Sequence, residues 1–358
     1  MQTLQEFYQG RRVFVTGHTG FKGAWLSQML RLFGAEVTGY ALAPPTDPSL
    51  YQLLDLAHEM TSVIGDVRDF SALKAAFDKA QPEIVLHLAA QPIVLTGYSD
   101  PRGTYDTNVM GTVNLLECVR GAASVRSVVN VTTDKVYRRH EKAQEYHEED
   151  VLNGFDPYSN SKSCSELVTS CYVNSFFAAG QPPVSTMRAA NVIGGGDFAA
   201  NRIIPDCVRA KRTQKPLVLR NPHAVRPYQY VLEPLVAYLL LAMRQCEEPA
   251  LAGAYNIGPG AEGCVRTEEI VRLFQQATTA PETIAQPNAA APYESDFLSL
   301  DCAKAREKLH WQPTLSVAQA VALTAQWVDA WLGGEDLKAF SRAQIAFFLQ
   351  EWAKQGCA

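Results

Sequence analysis

One pattern constrains this chain more than any other: from residue 11 onward, short β-branched runs alternate with helical stretches. The series reads RRVFVTG, GFKGAWLSQMLRLFG, AEVTGYAL, and later SVIGD, SALKAAFDKA and EIVLHLAA. Runs of period two alternating with stretches of period 3.6 build right-handed βαβ units, which lay a parallel sheet between two layers of helices. The alternation continues through a helical pattern over 101–122, the apolar run SVVNVTT at 127–133, a helix over 157–179 and VSTMRAA at 184–190. Six or seven parallel strands are predicted by residue 190.

The expected fold class is therefore α/β, a doubly wound parallel sheet of Rossmann-like type. Beyond residue 190 the texture changes to NVIGGGDFAANRIIPD, the Arg-rich LVLRNPHAVRPYQYV and LSLDCAKAREKLHWQP, loops and short helices rich in polar residues. This predicts a sheet domain over 1–190 and a smaller C-terminal substrate lobe over 191–358, with segments interleaving between the two. Two units also suit a chain of 358 residues that is 47% apolar, more than one core usually fills.

Charge and composition narrow the function. The net charge is −5, from 37 acidic against 32 basic residues, and no block of like charge stands out, so neither nucleic acid nor a membrane surface is an expected partner. Eight cysteines without a C-x-x-C pair and seven histidines without H-E-x-x-H indicate neither a disulfide framework nor a metal site. The opening MQTLQEFYQGRRVFVTG has no apolar core of signal-peptide length and no later window approaches a membrane span. A cytoplasmic protein with reduced thiols is expected, acting on a small polar ligand.

TGHTGFKG sets Gly17, Gly20 and Gly23 directly after the first strand and at the mouth of the first helix. Glycines at this spacing permit a tight turn and let helix N-terminal amides approach a pyrophosphate. A strand–helix turn can require glycine for its own sake. The order strand, loop, helix, second strand favours the dinucleotide reading. VTGYALAPP at the end of the second strand has no acid for a ribose and no arginine for a 2′-phosphate, which favours NAD over NADP. Asp66, ending VIGD, suits either the adenine amino group or a turn before a helix.

DPYSNSKSCSELV opens a helix near Asp156 and Pro157 and places Tyr158 and Lys162 four residues apart, on one face. An ammonium beneath a phenol stabilises the phenolate and fits it to act as a general base. One element earlier, VTTDKVY ends a buried strand in Thr133, Asp134 and Lys135. Such a pair of charges is commonly a strand-end ion pair. Beside Tyr158 and Lys162 it gains a chemical meaning. Because successive strand residues face opposite ways, Asp134 and Lys135 can reach one ligand only if the strand stops at Thr133.

These residues bring a resemblance into view. TGHTGFKG, HLAAQP, TNVMGT, VTTDKVY, YSNSK and MRAANVIGGGD together resemble the extended short-chain dehydrogenase/reductase family, which remodels nucleotide sugars on a bound NAD; the likeness spans nearly the whole chain. It implies a tightly bound, internally regenerated NAD contacted by Gly17, Thr19, Gly20, Phe21, Lys22, Gly23, Asp66, Val67, Ala89, Ala90 and Asn108, and by Tyr158 and Lys162. It implies a substrate site including Gln91, Asn191, Arg202, Arg220 and Arg226, with Arg226 gripping a diphosphate. It also implies a homodimer or homotetramer paired through the helices at 101–122 and 157–179. Trp311 reads as core packing at a helix end.

Within that family, epimerases resemble one another in carrying small, non-ionisable residues after the strand-end hydroxyl. A 4,6-dehydratase must deprotonate carbon 5 of a 4-keto sugar and protonate the hydroxyl leaving carbon 6, and so needs two further titratable groups. Asp134 resembles the acid of such enzymes. Lys135 stands where the commoner pattern has a glutamate base, and two roles stay open for it: a base, or a charge that stabilises the enolate. A 4-epimerase, a dehydratase of another nucleotide sugar and a non-catalytic NAD-binding regulator remain the alternatives, and no local rule reads the nucleobase.

Overall fold

The computed structural model describes residues 2–140, 144–177, 182–219, 221–278, 283–285 and 297–356. Among them, β1 (Arg12–Thr16), β2 (Glu36–Ala41), β3 (Thr61–Ile64), β4 (Ile84–His87), β5 (Ser127–Thr133) and β6 (Val184–Ala189) follow the alternation anticipated from the sequence. β7 (Asn191–Ile193), β8 (Leu217–Leu219), β9 (Val225–Tyr230), β10 (Ala254–Ile257), β11 (Cys264–Arg266) and β12 (Thr283–Ala285) complete the strands. The main sheet has the order β10-β6-β5-β4-β1-β2-β3, and every pairing in it is parallel. Reversal of the strand order between β1 and β4 opens the crevice in which doubly wound folds hold ligands.

Six of the sheet's seven strands precede residue 190 and the seventh, β10, comes from far beyond it, pairing Ala254–Ile257 with Thr186–Ala189. β7 and β9 run side by side in a three-stranded sheet with β11, Asn191 opposite Tyr228 and Arg226 opposite Val265. A central strand buried on both faces reads as a continuous apolar run. SVVNVTT does so: all seven residues of β5 are buried. The main core joins the sheet to Leu232–Glu247, Val317–Gly333 and Leu337–Ala353, with Trp25, Trp311 and Trp327 fully enclosed. Trp311 is core, as its place at a helix end suggests.

One helix departs from its expected form and another keeps it. The pattern over 101–122 resolves into Pro101–Tyr105, a π-helical turn at Asp106–Met110 and Gly111–Arg120. Such a turn is a local widening that commonly accompanies functional sites, and Asn108 lies inside it. The helix Pro157–Phe176 starts where the sequence indicates: Asp156 caps it by accepting from the Ser159 amide at 3.0 Å, and Pro157 occupies its first position. No helix among the described residues is long and apolar enough to cross a membrane.

Candidate active site

β1 delivers the chain into the glycine loop. Gly17 has φ +77°, a left-handed conformation, and a Cβ there would stand 2.8 Å from the Ala89 amide; a Cβ on Gly23 would stand 2.1 Å from the Gly17 carbonyl. Strand, loop and helix therefore meet backbone to backbone. The helix Phe21–Leu32 begins at Gly20 with no side-chain cap, so its first amides are presented to a ligand. This geometry fits a pyrophosphate. Thr19 donates to the Leu42 carbonyl at 2.9 Å, and Ala89 is held by an amide bond to the Thr16 hydroxyl at 3.1 Å, both shaping the loop's rim. His18, missed by the sequence reading, is fully buried at the loop, its ring set where a Cβ on Gly39 would be, and burial pushes it down to about 4, so it is neutral.

Lys22 leaves the loop toward the catalytic side. Its ammonium donates to the Tyr238 hydroxyl at 3.3 Å, and burial, with the nearby cations Lys162 and Arg202, pushes it down to about 7. Asp66 lies two residues beyond β3, and its carboxylate is occupied by Arg68, accepting from the Arg68 amide at 2.9 Å and from its guanidinium at 2.6 Å. This is the turn arrangement. Val67 lies just beyond, and its methyl group stands 2.7 Å from where a Cβ on Gly111 would be, so it packs this edge against the helix Gly111–Arg120.

β5 ends at Thr133, and the chain turns at once into a single 3₁₀ turn over Asp134–Val136. That turn is what lets neighbouring residues share a site. Asp134 is 1% exposed; its Oδ1 accepts from the Thr133 hydroxyl at 2.9 Å and from the Lys135 ammonium at 2.8 Å, while its Oδ2 is buried without a protein partner. Lys135 also donates to Asn191 Oδ1 at 3.0 Å, joining the strand end to β7. The Thr133 side chain also faces the Tyr158 phenol, whose upward shift by burial it opposes. Thr133, Asp134, Lys135, Tyr158 and Asn191 therefore form one constellation.

Lys162 departs from its expected pose. Its ammonium donates to the Val131 carbonyl at 3.0 Å, and burial pushes it down to about 8 with Glu166 acting in the opposite sense. Burial also drives the Tyr158 phenol up to about 12, the Thr133 side chain opposing it. The lowered phenol anticipated from the i, i+4 spacing is not reached by the protein alone, because desolvation of the phenolate outweighs that opposition.

The expected ligand contacts divide. Asn108 and Gln91 spend their amides on the scaffold: Asn108 Oδ1 accepts from the Gln91 amide at 2.8 Å, Asn108 Nδ2 donates to Ser161 at 2.9 Å, and Gln91 Nε2 donates to Thr104 at 2.8 Å. Both fix the wall after Ala90 instead of presenting free groups. Arg202 immediately precedes the helix Ile203–Thr213 without a side-chain capping bond, and pairs with Asp197 at 3.1 Å. Arg226 is buried on β9 near Asn191, with one guanidinium nitrogen donating to the Val225 carbonyl at 2.9 Å. Arg220 lies outside the described residues. Besides His18, the sequence reading missed Tyr238 and Glu166. Glu166 carried a readable signal, since Tyr158, Lys162 and Glu166 recur at four-residue steps and line one helix face.

Comparison with known proteins identifies the family to which the chain belongs. The family described as GDP-mannose 4,6 dehydratase matches residues 14–324. A CDP-glucose 4,6-dehydratase from Salmonella typhimurium is 43% identical over 351 residues, covering 96% of this chain and 98% of the relative. A UDP-glucose 4-epimerase from Mycolicibacterium smegmatis is 28% identical over 88% of this chain and 98% of its own. The fold superimposes on that of a dTDP-glucose 4,6-dehydratase from Bacillus anthracis, solved with NAD (TM-score 0.74, 22% identity, 89% of this chain and 97% of that one), and of a UDP-glucose 4-epimerase from Thermotoga maritima, solved with UDP-glucose (TM-score 0.76, 23% identity, 89% and 99%). The chain belongs to the GDP-mannose 4,6 dehydratase family of nucleotide-sugar enzymes.

Proposed function

We propose that the protein is a CDP-glucose 4,6-dehydratase, converting CDP-D-glucose to CDP-4-keto-6-deoxy-D-glucose and water with NAD recycled in each turnover. The observation that carries the reaction type is the constellation of Thr133, Asp134, Lys135 and Tyr158, two charged groups beyond what hydroxyl oxidation alone requires. The identity to the Salmonella relative supports CDP-glucose as the substrate.

The glycine loop and the first amides of Phe21–Leu32, with Lys22, would hold NAD, which would supply the hydride acceptor for carbon 4 and the hydride donor for carbon 6. Tyr158 takes the proton from the 4-hydroxyl, and Thr133, whose hydroxyl donates to Asp134 at 2.9 Å, stands beside it. Asp134 Oδ2, buried and without a protein hydrogen-bond partner, accepts the proton that carbon 5 loses and delivers it to the hydroxyl leaving carbon 6, so that water departs and the carboxylate is restored. Lys135 acts as the fixed positive charge beside the enolate formed when carbon 5 loses its proton. The contact of its nitrogen with the Asp134 carboxylate at 2.8 Å suits the electrostatic one of its two possible roles. Arg226 and Arg202 approach from the substrate lobe and suit the diphosphate.

The protein acts in the cytoplasm as a homo-oligomer. The seven described cysteines are all free thiols, which suits a reducing compartment. Exposed Met110 and Leu167, on adjoining helical segments, offer apolar side chains to a second copy.

Purified protein incubated with CDP-glucose should yield a product with the alkaline absorbance of a 4-keto-6-deoxy sugar. Absence of that signal with CDP-glucose, but its appearance with GDP-mannose or dTDP-glucose, would sink the substrate assignment; epimerised sugar with no keto product would sink the reaction.

A further inference from the structure

Lys135 is held from two directions, and only one of them is independent of its own turn. Its nitrogen lies 2.8 Å from Asp134 Oδ1 and 3.0 Å from Asn191 Oδ1, the second partner being 56 residues along the chain on β7. The Lys135 side chain is 27% exposed, against 1% for Asp134, so packing does not immobilise it, and its four-carbon stem would leave the nitrogen free to swing. Asp134 belongs to the same 3₁₀ turn and moves with it. It cannot alone fix the nitrogen relative to the rest of the site.

Asn191 can, because the backbone on either side of it is pinned. Ala190 alone separates it from β6, and the Ala190 amide donates to the Ile257 carbonyl of β10 at 2.9 Å. Asn191 pairs in parallel with Tyr228 of β9, and at the far end of β7 the Val231 amide donates to the Ile193 carbonyl at 2.9 Å. The carboxamide therefore stands where the main sheet gives way to the three-stranded sheet, reaching the turn after β5 from a fixed support. Charge decides what kind of anchor belongs there. A second carboxylate would hold the nitrogen but cancel its positive charge, whereas a neutral amide oxygen holds it and leaves the charge in force.

We propose that Asn191 is a positioning residue for the elimination step: its carboxamide oxygen, carried by β7, holds the Lys135 nitrogen in place for the enolate without neutralising it. This rests on the reading of Lys135 as the charge that stabilises that enolate. Oxidation at carbon 4, the work of Tyr158, does not need Lys135 and is not served by Asn191 in this way. The two halves of the reaction therefore respond differently when the anchor is lost.

Single turnovers of the NAD-loaded enzyme with CDP-glucose separate those halves, because the absorbance of reduced nicotinamide rises when carbon 4 is oxidised and falls only after water has left. Asn191→Ala should keep the rise within about threefold of wild type, slow deuterium entry at carbon 5 about tenfold, and let reduced nicotinamide accumulate. Asn191→Leu keeps the bulk of the side chain without its acceptor; it should behave alike, and it gives the answer if Asn191→Ala does not fold by near-ultraviolet circular dichroism. Two unfolded variants would assign Asn191 to folding and overturn the proposal. In a Lys135→Met background, adding Asn191→Ala should cost less than about twofold more, since nothing is left to position. Losses that multiply would make Asn191 an independent contact to the substrate, as would a slowed rise with unchanged deuterium entry, and either result overturns the proposal. If Lys135→Met alone leaves deuterium entry at the wild-type rate, the reading of Lys135 is wrong; if Lys135→Met slows it and the Asn191 variants do not, only the role of Asn191 falls.

Discussion

Lys135 lies 2.8 Å from the carboxylate of its own chain neighbour Asp134, a contact that an extended strand forbids and that the 3₁₀ turn after Thr133 creates. The second bond, to Asn191, holds the ammonium as a donor on two sides. Lys135→Met should lower kcat by about 10²-fold, the scale of losing one preorganised charge from a closed site. Deuterium entry at carbon 5 should slow in parallel, and added alkylamines should not restore it. Rescue that grew with amine basicity would return Lys135 to the role of base.

Lys22 is protonated below about 7, and burial with the adjoining cations is what drives it that low. An anion beside it raises that value again, so binding of NAD takes up protons near neutrality. Lys22→Met should weaken NAD about tenfold at pH ~6, where the wild-type side chain is charged, and by much less at pH ~9, where it is not. Titration by protein fluorescence across this range measures both constants; equal weakening at the two ends would show that the ammonium charge plays no part.

Glu233, 1% exposed in the helix Leu232–Glu247, accepts from the Thr314 and Leu315 amides at 3.0 and 2.8 Å, and burial nonetheless pushes it up to about 8. Its value in an unfolded chain is near 4.5. Between these limits the folded state retains a proton that the unfolded state has lost, so rising pH favours unfolding. The melting temperature should fall by several degrees from pH ~5 to pH ~8, and Glu233→Gln should flatten this dependence. A parallel decline in both proteins would assign it to other groups.

On the helix Pro157–Phe176, Leu167 is 56% exposed and Phe176 50%, with Met110 on the adjoining helical segment. If the proposed pairing of copies uses this helix, wild-type protein should sediment as an oligomer and Leu167→Glu as a monomer, because a carboxylate desolvated in an apolar contact costs several kcal/mol; a monomeric wild type would overturn the pairing. Unchanged sedimentation would place the contact between copies elsewhere.

How far the sequence reaches can be judged from particular residues. Period and punctuation were enough for β1 to β6, for the glycine loop and for the start of the tyrosine helix at Asp156, since each depends on interactions within a few residues. Tyr158 and Lys162 were visible because a helix converts a spacing of four into one face. Glu166 obeyed the same spacing and went unread, since its partners Arg188, Thr186 and Thr132 arrive from other strands.

Tertiary structure decided what has no local signature. β10 joins the sheet from residue 254, because the edge of β6 needs a partner wherever the chain can furnish one. Asn108 and Gln91 satisfy one another instead of facing a ligand, since buried amides require partners. The sequence determined that aspartate and lysine follow Thr133. Whether those side chains diverge across a sheet or converge on one site depended on where β5 lost its neighbours, and it does so at Thr133, its last residue paired with β6.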